Sequence, residues 1–160
     1  MSMLAYLWRF LHLLFAFSFV GAVTIAEWNG RQARATSDWG RRAALWGVVR
    51  HTTLVLGLGG LVLLGLVGNL LAVAMGLPMG GRWMGIVNGL WLVGVALYLF
   101  VALPTIRGLA ALSDKAAAGS AEGAPKGYDA TLVRWRLAYV LLGIFYVAML
   151  ALMVLRPLVT

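Results

Sequence analysis

The chain has 160 residues, of which 62% are hydrophobic and 11% charged, with a mean hydropathy of +0.92. A soluble domain carries about 25% charged residues, so this composition points to a surface that faces lipid. There is no cysteine, which excludes disulfides, thiolate chemistry and iron–sulfur clusters. The formal charge of +8 is spread between apolar runs and not gathered in one basic domain, so it argues for membrane topology and against a nucleic-acid partner.

The first apolar run, from Leu4 to Ala26, carries Arg9 and His12 near its start. A basic start, an apolar stretch and Thr24-Ile25-Ala26 have the outline of a signal peptide. Arg31 and Arg34 directly behind the stretch resist export of the loop that contains them, so the run is read as a retained first span over 4–26. Next, Thr36-Ser37-Asp38 marks a helix start, and Trp39, Leu45, Trp46 and Val49 among Arg41, Arg42 and Arg50 predict a short basic amphipathic helix on the inner membrane surface. The second span covers 52–77 and ends where Pro78, Gly80 and Gly81 make a tight turn. The third covers 83–106. The segment 113–127 is rich in Ala and Gly and reads as a flexible cytoplasmic connector. The fourth span, 137–155, holds an uncharged run whose length of roughly 28 Å matches the ~30 Å hydrocarbon core.

The expected fold is therefore an all-α membrane protein, a four-transmembrane-helix bundle forming one domain over 1–160. Trp8, Trp28, Trp83 and Trp135 fall at headgroup depth, whereas Trp91 lies well inside the third span. Continuously apolar runs exclude a β-barrel, whose strands alternate in polarity. Both long loops hold the basic residues: Arg31, Arg34, Arg41, Arg42 and Arg50 in the first, and Arg107, Lys115, Lys126, Arg134 and Arg136 in the second. Under the positive-inside rule these loops are cytoplasmic and the protein is N-out/C-out.

Small residues four apart let helices approach in lipid. Gly68, Ala72 and Gly76 form one such row and Gly81, Gly85 and Gly89 another, predicting a tight hairpin between the second and third spans. The alternative use of such glycines is a slot for a flat ligand such as a porphyrin or quinone.

Ionisable groups inside a span are costly, so each asks for a reason. Arg9 is close enough to the surface to snorkel outward. His12 lies one turn deeper on the same face. Matching depths places His12 at the level of Gly68 and Asn69, of Asn88 to Trp91, and of Met149, which suggests either a shared polar site or hydrogen bonds that pack the bundle. His51 lies at the opposite membrane face. The sequence has no HExxH zinc motif, no phosphate-binding glycine loop, no internal repeat and no row of acids across the bilayer, which argues against hydrolase, nucleotide-binding and permease readings.

The stretch Ala5-Tyr6-Leu7-Trp8-Arg9-Phe10-Leu11-His12-Leu13-Leu14 resembles the opening of bacterial haem-linked membrane proteins, the HemJ-type protoporphyrinogen oxidases and the copper resistance protein D group. The whole chain, ending in Met153-Val154-Leu155-Arg156-Pro157, is similar to an uncharacterised family of four-helix bacterial integral membrane proteins in the same grouping. The resemblance implies a multi-pass protein of the bacterial cytoplasmic (inner) membrane. It also implies that His12 is an axial ligand of b-type haem iron. Val87-Asn88 stand where the oxidases carry a lysine, which counts against protoporphyrinogen oxidation. Two functions are open to such a chain. One is haem b binding through His12, with Met149 as a second ligand, Asn69 and Asn88 in the same layer, and Arg9, Arg82 and Arg156 pairing with propionates. The other is a non-catalytic accessory subunit or assembly factor that packs against other membrane subunits or a second copy of itself.

Overall fold

The computed structural model describes residues 3–119 and 123–154. Arg156 lies outside the described residues. Among the described residues, six α-helices make four continuous rods. The first is α1 (Met3–Ala35). The second is α2 (Trp39–Thr52), which passes through a π-helical turn (Thr53–Leu58) into α3 (Gly59–Ala74). The third is α4 (Arg82–Leu97), which passes through a second π-helical turn (Tyr98–Ala102) into α5 (Leu103–Ala118), and the fourth is α6 (Tyr128–Val154). All four rods are long and apolar enough to cross a membrane, and there is no strand among the described residues.

The rods outrun the expected spans. With 33 residues, α1 rises about 50 Å, well beyond a ~30 Å hydrocarbon core. It continues past Ala26 because Glu27 takes Arg31 Nε at 2.8 Å and Arg34 at 3.6 Å, and because Ala26, Gly30 and Ala33 are buried. The expected surface-lying helix is corrected: α2 begins after Asp38 but runs straight into the second span. Asp38 Oδ1 accepts from the Gly40 amide at 2.8 Å and the Arg41 amide at 3.3 Å, capping the first turn. Trp46 and Val49 are fully buried, so the apolar face of α2 meets the bundle and not lipid. The segment expected as a connector over 113–127 differs in its first part. Residues 113–118 are helical, with Ser113 and Ala116 buried and Ser113 Oγ donating to the Leu109 carbonyl at 2.8 Å. An alanine-rich segment with one buried face forms helix before it forms coil.

Pro104 explains the second π-helical turn. Proline has no N–H to give the preceding turn and its ring crowds the carbonyl four residues back, and the widened turn Tyr98–Ala102 directly precedes it. Thr105 Oγ1 donates to the Val101 carbonyl at 2.6 Å. The hairpin turn between the second and third rods is closed by Gly76 at φ +69°. Leu77 N donates to the Ala72 carbonyl and Gly76 N to the Val73 carbonyl, both at 2.9 Å. That pattern uses the left-handed conformation glycine adopts without strain.

Two cores stack along the bundle. At the basic end, Trp46, Trp135, Tyr128 and Tyr139 pack with Val49, Ile106 and Leu109. Toward the other end, which we call the turn end, Phe19, Leu61, Tyr98, Leu142, Phe145 and Met149 form the second core. Large apolar side chains such as Phe17, Phe100, Ile144 and Val147 stand exposed on the outside, as a lipid-facing surface requires.

Candidate functional site

A half-open cavity of about 220 Å³ occupies the turn end, among α1, α3, α4 and α6. His12 reaches it from α1, Asn69 from α3, Asn88 and Trp91 from α4, and Met149 from α6. Of the residues singled out in the sequence, these four (His12, Asn69, Asn88, Met149) are brought together. Arg9 is not: it is exposed on α1 and does not line the cavity. His51 is exposed on α2 and lines no part of it.

The glycines of α3 build one wall by baring its backbone. A Cβ on Gly68 would lie 3.0 Å from His12 Cε1 and 3.2 Å from its Nδ1, so the imidazole sits flush on the helix. His12 Nδ1 lies 3.2 Å from the Leu64 carbonyl. A carbonyl only accepts, so this bond places the proton on Nδ1, and in the neutral ring Nε2 carries the free lone pair. Gly65 serves Trp91 in the same way: a Cβ there would fall inside the indole, and Trp91 Nε1 donates to the Leu61 carbonyl at 2.9 Å. Helix carbonyls accept these second bonds because each has two lone pairs.

Asn69 and Asn88 face each other across α3 and α4 and exchange two hydrogen bonds, each of 3.0 Å. Asn69 Nδ2 also donates to the Gly65 carbonyl at 2.9 Å. The two amides bond one another, so the pair fastens the hairpin and walls the cavity.

Of the two expected small-residue rows, the second does not pack the hairpin at Gly85 and Gly89. Cβ atoms on Gly85 and Gly89 would meet nothing within 4 Å, and both residues are exposed. The close approaches lie elsewhere: Gly30 under Trp135, Gly57 under Tyr98, Gly65 under Trp91 and Gly94 under Phe145. The flat groups seated on glycine are thus the protein's own rings. Sequence reasoning missed the Trp91–Gly65 contact, although the depth of Trp91 in its span was the available signal. It also missed Met84 and Met153, which line the cavity beside Met149. Among the described residues, no group of three or more His, Cys, Asp or Glu side chains gathers to hold a metal ion.

The family model described as "Predicted integral membrane protein (DUF2269)" matches residues 6–157. The chain belongs to this family. The match takes in all four rods, His12 and both asparagines, and establishes a multi-pass membrane protein whose apolar helices contact lipid. No curated protein and no solved structure matches the chain significantly.

Proposed function

We propose that this DUF2269 protein binds a b-type haem at the turn-end cavity, in a redox or haem-related role. The observation that carries the reading is the His12 imidazole: its Nδ1 is tied to the Leu64 carbonyl, which fixes the ring and leaves Nε2 as the nitrogen with a free lone pair, the arrangement by which proteins orient a ligating histidine. The donor set suits the group, because the thioether of Met149 lines the same cavity and neither Asp nor Glu does. Bound haem would supply one-electron chemistry. The residues of this chain would hold it, exclude water and set its surroundings. The cavity is smaller than the roughly 300–1,000 Å³ of ordinary ligand pockets, and Trp91 fills the Gly65 slot. Seating a porphyrin would therefore require the cavity to widen. The resemblance of the first span to haem-linked proteins supports the same reading.

Protein purified from haem-replete cells is expected to show a b-type absorption spectrum, and His12→Ala is expected to be colourless while keeping its helical circular dichroism. A colourless wild-type protein would overturn the reading.

We further infer that the basic end faces the cytoplasm of a bacterium, with both termini outside, on the charge of the two long loops. A reporter active only in the cytoplasm should work at Gly119 and be silent at the C-terminal end. The reverse pattern would invert the topology. A second reading, an accessory subunit of a larger membrane complex, is favoured by Gly85 and Gly89, whose exposed backbone invites another helix. Stoichiometric copurification of a fixed partner in mild detergent, lost on Gly85→Leu, would select it.

A further inference from the structure

A second, wider recess lies between α1 and α6 at the basic end, with a volume of about 520 Å³. Its wall carries three guanidiniums, from Arg31, Arg34 and Arg136, and one carboxylate, from Glu27. Glu27 holds Arg31 at 2.8 Å and Arg34 at 3.6 Å, and Arg34 also rests over the Trp135 ring at 5.3 Å from its centroid. The carboxylate therefore orients two of the cations, and the four side chains together keep a net positive charge.

The apolar lining follows the same register on both helices. On α1, Val23 lies one turn from Glu27 toward the middle of the span. On α6, Val140 lies one turn from Arg136 in the same sense, and both valines line the recess. Trp28, exposed on the adjacent position of α1, marks this level as the membrane interface. Charge at headgroup depth above methyl groups at acyl depth is the profile of a phospholipid.

We propose that this recess binds the phosphate headgroup of an anionic phospholipid. Arg31, Arg34 and Arg136 contact the phosphate oxygens, for which the guanidinium fork is suited, and Val23 and Val140 flank the first methylenes of the chains. The net positive charge selects an anionic lipid over a zwitterionic one, whose trimethylammonium it repels. Basic pockets between membrane helices bind anionic headgroups on these grounds.

The test monitors the melting temperature of the full chain in neutral detergent during titration with dioctanoyl phosphatidylglycerol, dioctanoyl phosphatidylcholine or inorganic phosphate. Phosphatidylglycerol alone is expected to raise it. Arg31→Gln combined with Arg136→Gln should weaken the apparent affinity about tenfold or more, through two lost charge-assisted contacts. Arg107→Gln, an exposed cation on α5 outside the recess, should leave it unchanged. If the double glutamine variant does not fold, Arg31→Lys with Arg136→Lys keeps the charge, loses the fork, and should weaken binding to a smaller extent. Equal stabilisation by phosphatidylcholine would reduce the recess to an apolar groove. Equal stabilisation by inorganic phosphate would assign it to a soluble anion, and an equal loss in Arg107→Gln would show a diffuse basic surface. Each of these results overturns the proposal.

Discussion

The two halves of the bundle seat rings on glycine alike but differ in where they leave space. At the basic end the buried rings interlock: Trp46 stacks edge-on against Trp135 with centroids 5.1 Å apart, and Trp46 Nε1 donates to the Tyr128 hydroxyl at 3.0 Å. Arg42 locks this half from the loop side, giving Nε to the Ala33 carbonyl at 2.8 Å, a second bond to the Thr36 carbonyl, and its charge to the Trp39 ring at 4.0 Å. At the turn end His12 and Trp91 lean on the bared backbone of α3, and a cavity of about 220 Å³ is left beside them. The basic end keeps its open space in the groove between α1 and α6 and fills its interior with interlocked rings, and that interior stabilises the fold. The other half gives up packing contacts and gains room beside an imidazole.

The largest effect that distinguishes the halves is expected from Trp135→Ala. It removes a fully buried ring at the basic end and should cost about 3–5 kcal/mol, read as a collapse of the detergent melting temperature. Gly30→Ala attacks the same contact from the other side, since its Cβ would lie 2.5 Å from Trp135 Cη2. Overpacking of this kind costs typically about 1–3 kcal/mol. A mild outcome in both would mean that the basic end is not the stable half.

A smaller effect is expected at the turn end. Asn69→Ala and Asn88→Ala should each cost about 0.6–2 kcal/mol, and the double variant should cost less than the sum, because the two amides serve one another. Strict additivity in a thermal-stability cycle would show that the reciprocal bonds of 3.0 Å carry no coupling.

The same contrast explains what was legible in the sequence. Four rods were readable because continuous apolar runs leave few alternatives. Their ends were not, because the reading stopped each span at its first charges, whereas the Glu27–Arg31 pair at i,i+4 and the buried faces of α2 and α5 carry the helices onward. The depth of His12, Asn69, Asn88 and Met149 came from the fixed rise of a helix. Rotation about each axis cannot be read from rise, so the seating of Trp91 on Gly65 and of His12 on Gly68 stayed hidden. The second glycine row shows the same gap. Spacing marked Gly81, Gly85 and Gly89, but the glycines under close contact are those that meet a ring from another helix, such as Gly57 beneath Tyr98.

If the turn end is a ligand site and not merely loose packing, its chemistry depends on one side chain. The deciding measurement is the haem content of wild-type protein, His12→Ala and His51→Ala, purified alike and compared by reduced-minus-oxidised absorption. Equal haem is expected in wild type and His51→Ala, since His51 lies exposed on α2 away from the cavity, and none in a folded His12→Ala. Haem retained in His12→Ala, or lost from a folded His51→Ala, would contradict a haem site at His12.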